Sequence, residues 1–348
     1  MIESSRKKCP VRHDIVGLNF SLVDYCNNYF TSDDPNKIIE FYNGFENRGQ
    51  LIEWMKERPK GVHTIHEVEG DKDIIVVIPT ADFNGKYAKE CRETIFKGLH
   101  IIFVESTEVP DPYFNYAHNC NVGIKKALEY EPKWVVVSND DMYKIDDVSK
   151  LLNQLNQVKD KDGKTVFISK SIYHSTPMYI AKPRMTYDLA LKFLSKFSDK
   201  WKYRNEIYKA LKKFNSQSVY YTRNKYCILD RTNSLIKNIK MKLFDFLCFK
   251  EIFSFINILS FAVLSVAYAI ENGGNLFDET FINEMEDTEL SVSLCRDKAN
   301  YTIVDFQIGD HIGSYLGNGI TRECRTVPGL TYFSAKRMED YALKFKSP

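Results

Sequence analysis

The sequence predicts an α/β fold with a mostly parallel central sheet, flanking helices and an inserted helical segment. Three observations predict it. Residues 74–78, 101–104 and 134–137 are short unbroken apolar runs, which is how strands buried on both faces read. Between them lie stretches of helical spacing, first Tyr87, Cys91, Ile95 and Phe96, then Val122, Ile124, Ala127 and Leu128. Strands that alternate with helices imply parallel neighbours joined by right-handed crossovers.

Residues 1–70 are polar and predict a helical extension. Helical pieces fall at 36–42 and 50–57, and Pro59-Lys60-Gly61 stops the second. Residues 71–322 carry the main domain. A strand over 73–78 ends at Pro79-Thr80, and a helix over 86–98 closes at Gly98. The strand at 100–104 ends at Glu105-Ser106-Thr107, a helix follows at 121–130, and the next strand opens at Trp134. Residues 252–270 carry no charge and are long enough to cross a bilayer. Their serines, Asn257 and the direct run into Glu271-Asn272-Gly273-Gly274 favour a buried strand at about 259–264, then a helix to Ile270. Residues 323–348 predict a tail that packs back as a helix.

Composition narrows the class. A chain of 348 residues with 44% apolar and 27% charged content can bury a large core. The net charge of +2 gives no basis for a nucleic-acid partner. Eight scattered cysteines without a C-x-x-C pair support neither a zinc ribbon nor a redox motif, and point to a reducing, cytoplasmic setting. Residues 1–12 are basic with no apolar run behind them, so no secretory signal is expected.

One strand carries chemistry. The run from Trp134 to Val137 leads through Ser138 into Asn139-Asp140-Asp141. Ligands of open parallel sheets bind beyond the carboxyl ends of the strands. Adjacent carboxylates there suit a hard cation shared with substrate phosphates. Thr80 and Glu105 emerge at the same edge. Neither G-x-G-x-x-G nor a P-loop is present, so dinucleotide and P-loop readings lack their signature.

Taken together, these residues resemble the family-2 glycosyltransferases of GT-A fold, in particular the inverting, rhamnosyltransferase-like members. Ile78-Pro79-Thr80 is similar to the family's first-strand ending, and Val104-Glu105-Ser106 to its second, with Glu for the usual Asp. Asn121-Val122-Gly123-Ile124 with Ala127 resembles its "NxGIxxA" helix. Asn139-Asp140-Asp141 falls on the DXD position. Gly273-Gly274, Phe277-Asp278-Glu279 and Phe281 resemble "GGFDExF", Glu286-Asp287-Thr288-Glu289-Leu290 resembles "EDVDL", and His311-Ile312-Gly313-Ser314 resembles a late His-Gly-Ser element. The resemblance spans roughly residues 73–315, with one expanded interval at 200–255.

This resemblance implies a transfer from a nucleotide-diphosphate sugar to a hydroxyl acceptor, a glycan or lipid-linked one, with Mg²⁺ or Mn²⁺ as cofactor. Asp141 would be the metal ligand and His311 would complete the shell or touch the diphosphate. Pro79, Thr80, Asp82 and Glu105 would face the nucleoside, Glu105 accepting a base N–H. Asn121, Asn139 and Asp140 complete the donor-binding set. Asp287 would be the general base, with Glu286 as its neighbour and alternate.

Plainer readings stand beside these. Glu286-Asp287 also fits a solvated helix start, Gly273-Gly274 a helix C-cap, and Thr80 a simple strand end. A nucleotidyltransferase or a non-catalytic nucleotide-binding scaffold are the alternative functions. The interval 200–255 mixes aromatics with lysines, and 236–255 is an amphipathic stretch suited to peripheral contact with the inner face of the plasma membrane, or to an ordinary lid.

Overall fold

The computed structural model describes residues 32–106, 113–158, 165–169, 174–181, 184–214, 219–221, 249–257, 260–282, 284–296, 300–311 and 319–338. Helix α1 (Pro35–Phe41) starts at Asp34, whose carboxylate accepts the Asn36 N–H, and α2 (Arg48–Glu57) starts likewise at Asn47. Strand β1 (His63–Val68) follows, then β2 (Asp71–Thr80). Helix α3 (Lys86–Glu90) continues into a π-helical turn at Cys91–Ile95 and leads to β3 (Leu99–Ser106). Helix α4 (Tyr116–Leu128) and β4 (Trp134–Ser138) complete the first half.

The second half begins with the short β5 (Met142–Lys144), α5 (Val148–Asn156) and β6 (Thr165–Ser169). Next come β7 (His174–Ala181), α6 (Arg184–Leu194), α7 (Asp199–Lys213), β8 (Val219–Tyr221) and β9 (Phe249–Asn257). Strand β10 (Phe261–Ser265) runs directly into α8 (Val266–Glu271). Helix α9 (Glu286–Arg296), β11 (Asn300–Val304), β12 (Ile308–Asp310), α10 (Gly319–Arg325) and α11 (Val327–Phe333) follow.

The main sheet has seven strands in the order β1-β3-β2-β4-β10-β6-β11. Strands β3, β2 and β4 are parallel, as the alternation with helices requires. The rest of the sheet corrects the expectation of a mostly parallel one. Strand β1 lies antiparallel on β3, β10 is antiparallel to both β4 and β6, and β11 is parallel to β6. The sheet is therefore mixed. A strand buried on both faces reads as the same apolar run in either direction, so the direction of β10 has no sequence signal.

Alternation along the strands splits the core in two. Val76, Ile78, Ile101, Phe103, Val136 and Val263 face one layer, packed by Cys91, Ile95, Leu151 and Leu155. Ile75, Val77, Ile102, Val104, Val135, Val137 and Leu264 face the other, packed by Cys120, Ile124, Tyr268, Leu290 and Leu294. On that side α4 approaches β2 closely. A Cβ on Gly123 would stand 2.3 Å from Val77 Cγ1, so only glycine permits this distance.

A third cluster joins the chain's beginning, middle and end. Phe41, Tyr42, Phe45, Leu51 and Trp54 pack with Ile207, Leu211 and Phe214 of α7 and its end, and with Cys324 and Val327. The tail thus returns as helices, and the first 70 residues hold both helices and an edge strand of the main sheet. The inserted segment is not purely helical. Strands β8 and β9 pair with the earlier β7 in a separate antiparallel sheet, in the order β8-β7-β9. Of the amphipathic stretch 236–255, residues 236–248 lie outside the described residues and the rest belongs to β9. The uncharged run 252–270 resolves into the end of β9, the buried β10 and α8. Among the described residues no helix is long and apolar enough to cross a membrane.

Gly123→Ala forces either α4 off β2 or Val77 off its rotamer. We expect a loss of about 1–3 kcal/mol of stability, read as a lower urea midpoint at unchanged slope.

Candidate active site

Strand register assembles the site. Val77 lies beside Val137 in the parallel β2–β4 pair, so Thr80 and Asp140 each stand three residues beyond matched positions. The Thr80 hydroxyl donates to Asp140 Oδ2 at 2.6 Å. In the β2–β3 pair Thr80 is level with Glu105. Pro79, Thr80, Glu105, Asn139, Asp140 and Asp141 thus emerge along one edge of three adjacent strands, the edge the sequence reading chose. Burial pushes the Asp140 carboxyl up to about 6, with the charge of Asp141 adding to the rise and the Thr80 hydrogen bond opposing it.

His311 reaches this edge through a second pairing. Strands β5 and β12 run antiparallel with Met142 level with Asp310, which sets His311 opposite Asp141. The His311 N–H donates to the Asp141 carbonyl at 2.7 Å. Gly309 makes room for the Tyr143 ring, since a Cβ there would stand 2.1 Å from it. That ring lies 4.9 Å from the His311 ring, and Tyr87 flanks it at 5.8 Å. The same corner is held by the Asn139 N–H on the Ser260 carbonyl and the Ser260 hydroxyl on Asp310 Oδ2. Of the His-Gly-Ser element only His311 is among the described residues.

Glu105 has both oxygens engaged. The Phe83 N–H donates to Oε1 at 2.8 Å, and His66 Nε2 sits 2.7 Å from Oε2. Phe83 is sandwiched, with the His66 ring stacked at 4.2 Å on one face and the Arg92 guanidinium 4.7 Å from its centroid. Asp82 holds the same loop through Thr80, whose hydroxyl accepts its N–H at 3.3 Å, and through the Asn84 N–H on its own carboxylate.

Asn121 is buried on α4 against the 277–279 loop. Its amide donates to the Phe277 carbonyl and to Glu279 Oε1, and its oxygen accepts the Phe277 N–H. It pins the 277–279 loop to α4. Asn115 and Lys60 hold the Glu279 carbonyl, and His118 Nδ1 sits 2.9 Å from Glu279 Oε2. The His118 hydrogen bond, helped by Asn121 and by the charge of Lys60, pulls the Glu279 carboxyl down to about 2 against the cost of burial. Gly273 and Gly274 end α8 with left-handed φ values of 57° and 73°, and both donate back to its carbonyls. They are a C-cap. Gly274 also lets the chain approach α4, since a Cβ would meet Lys125 Cγ at 2.6 Å.

The acidic pair at the start of α9 is not a solvated helix start. Glu286 is only 7% exposed, and its Oε2 has no hydrogen-bond partner among the described residues. Burial holds its carboxyl well above the usual range, with the charge of Asp287 adding to the rise. Asp287 is half-buried, and its Oδ1 accepts the Thr288 N–H at 2.6 Å. Met285 precedes the pair with φ 76°, a left-handed conformation for a buried side chain that L residues rarely adopt.

Tyr116 reaches the sheet edge from α4. Its hydroxyl donates to Asn139 Oδ1 at 2.8 Å. Burial raises the phenol well above its ordinary range. Tyr116 therefore faces Asn139, and its ring lies edge-on to Phe277 at 6.1 Å. The sequence reading missed Tyr116, His66 and Arg92. Tyr116 follows the N-cap Asn115, the one local signal that could have marked it.

Among the described residues no three His, Cys, Asp or Glu side chains stand together as a ready metal site. The donor types at this edge still fit a hard cation. Asp140 is a carboxyl whose charge is opposed by burial and by Asp141, and a cation relieves both. No protein-family model matches the chain, and no curated protein matches it.

Glu279 ties the 277–279 loop to α4 only while ionised. An ordinary glutamate titrates near 4.5 and this one near 2, so its contribution is complete above 4.5 and lost as pH falls toward 2. Thermal melting of Glu279→Gln should lie below that of the parent at pH 6, and the two curves should converge across that window. A gap that stays constant with pH would contradict the assignment.

Proposed function

We propose that this chain is an inverting, metal-dependent glycosyltransferase of GT-A type. It would move a sugar from a nucleotide-diphosphate donor to a hydroxyl acceptor, a glycan or lipid-linked one, at the cytoplasmic side. One observation carries the reading. Thr80, Glu105, Asp140, Asp141 and His311 share one sheet edge.

Inverting transfer is a single displacement. The acceptor oxygen attacks the anomeric carbon, its proton passes to a base, and the bond to the diphosphate breaks with its electron pair on the leaving oxygen. Asp287 suits the base better than Glu286. Glu286 is buried, which pushes its carboxyl well above the usual range, whereas Asp287 is half-buried beside it. Asp140, kept in place by Thr80, suits sugar or ribose hydroxyls. Asp141 and His311 are the residues that would hold Mg²⁺ or Mn²⁺. The cation supplies neutralisation of the leaving diphosphate. The His66 ring and the Arg92 guanidinium, now against Phe83, offer flat faces to a base that displaces it.

Two measurements test the reading. A panel of nucleotide sugars should give nucleoside diphosphate release that chelator abolishes. Pyrophosphate release would assign a nucleotidyltransferase instead, and saturable nucleotide binding without turnover would assign a scaffold. In the same assay Asp141→Ala should lose metal-dependent nucleotide binding. Asp287→Asn should bind the donor normally and transfer slower by about 10²-fold or more. Full activity in Asp287→Asn would remove the base assignment.

A further inference from the structure

We propose that the outer face of the α6–α7 hairpin docks on an anionic lipid bilayer. The inference is independent of the reaction proposed above. Leu189, Phe193 and Phe197 are 61%, 61% and 69% exposed. Leu189 and Phe193 lie one turn apart on α6, and the rings of Phe193 and Phe197 touch at 4.9 Å. They form one continuous apolar stripe in solvent. Helix α6 does not need them for its own packing, because Leu191 is fully buried on its inner side. A helix that is apolar on both sides has a second surface to cover.

Charge identifies the partner. Lys192 and Lys196 stand one turn apart beside the stripe, and Lys200 and Lys202 follow at the start of α7. All four are exposed, and among the described residues none is ion-paired. Between residues 189 and 202 the only acidic residue is Asp199, in a chain whose net charge is just +2. Phenylalanines rimmed by lysines are the composition of an interfacial anchor. The rings enter the headgroup boundary while the ammonium groups stay in water beside lipid phosphates. A protein partner with an apolar groove or a second copy of this chain would cover the rings, but neither calls for unpaired lysines along the rim.

Co-sedimentation of the full chain with vesicles tests this. Phosphatidylglycerol-containing vesicles should carry it down, and pure phosphatidylcholine vesicles should not. The double substitution Phe193→Ser with Phe197→Ser should weaken binding by about tenfold or more. Lys192→Glu with Lys196→Glu should weaken it by about tenfold and flatten its salt dependence. Thermal unfolding should be unchanged in both, since every altered side chain is exposed. The proposal is overturned if the parent stays in solution with anionic vesicles, or if the phenylalanine variant sediments as the parent does. Concentration-dependent dimerisation that the phenylalanine pair controls, without vesicle binding, would assign the face to a second copy instead.

Discussion

Three parallel strands in one register carry the site. Val77 beside Val137 and Thr80 level with Glu105 bring the polar ends of β2, β3 and β4 into a single row. The side-chain period of a strand is two, so a slip of one residue would turn every buried valine outward and every site residue to the wrong face. The buried layers on both sides of these strands hold the register, because either layer alone would be lost by a slip. The hydrogen bond from Thr80 to Asp140 reports that the register is kept at the last residue where it matters.

Helix α4 then connects that row to the rest of the molecule. Its close approach at Gly123 sets its height over β2. From that position Tyr116 reaches Asn139, and Asn115, His118 and Asn121 together hold the 277–281 loop. Lys336 and Tyr332 reach the same loop from the tail, both through Asp278, and Lys336 also pairs with Glu289 of α9. The loop and α9 are therefore clamped from two sides, and the buried acids at the start of α9 are held where water does not relieve them. Such a clamp keeps Glu286 buried, and burial raises its carboxyl well above the usual range.

Several parts of this arrangement were readable from residue order. The strand at 134–138 and its acidic end, the strand and helix hidden in the run 252–270, and the returning tail all follow from local pattern. Other parts were not. The edge strand β1 is half polar, with His63, Thr64, His66 and Glu67, so it lacks the apolar run that marks its neighbours. The sheet of β7, β8 and β9 draws strands from far apart in sequence, and pairing over such distances leaves no local trace. The three hydrogen bonds by which Asn121 braces the 277–279 loop likewise leave no mark in its motif position.

By itself the sequence determined which segments are buried strands, where their polar ends fall, and which acids are candidates for chemistry. Burial period and turn residues are local properties, and they survive reading one residue at a time. Only the tertiary structure decided the direction of β10, the pairing that sets His311 opposite Asp141, and the hydrogen bond from Tyr116 to Asn139. It also decided that Glu286 is buried while Phe193 and Phe197 are not. Those outcomes depend on what packs against each side chain, and an apolar or acidic residue reads the same whether another layer covers it or water does.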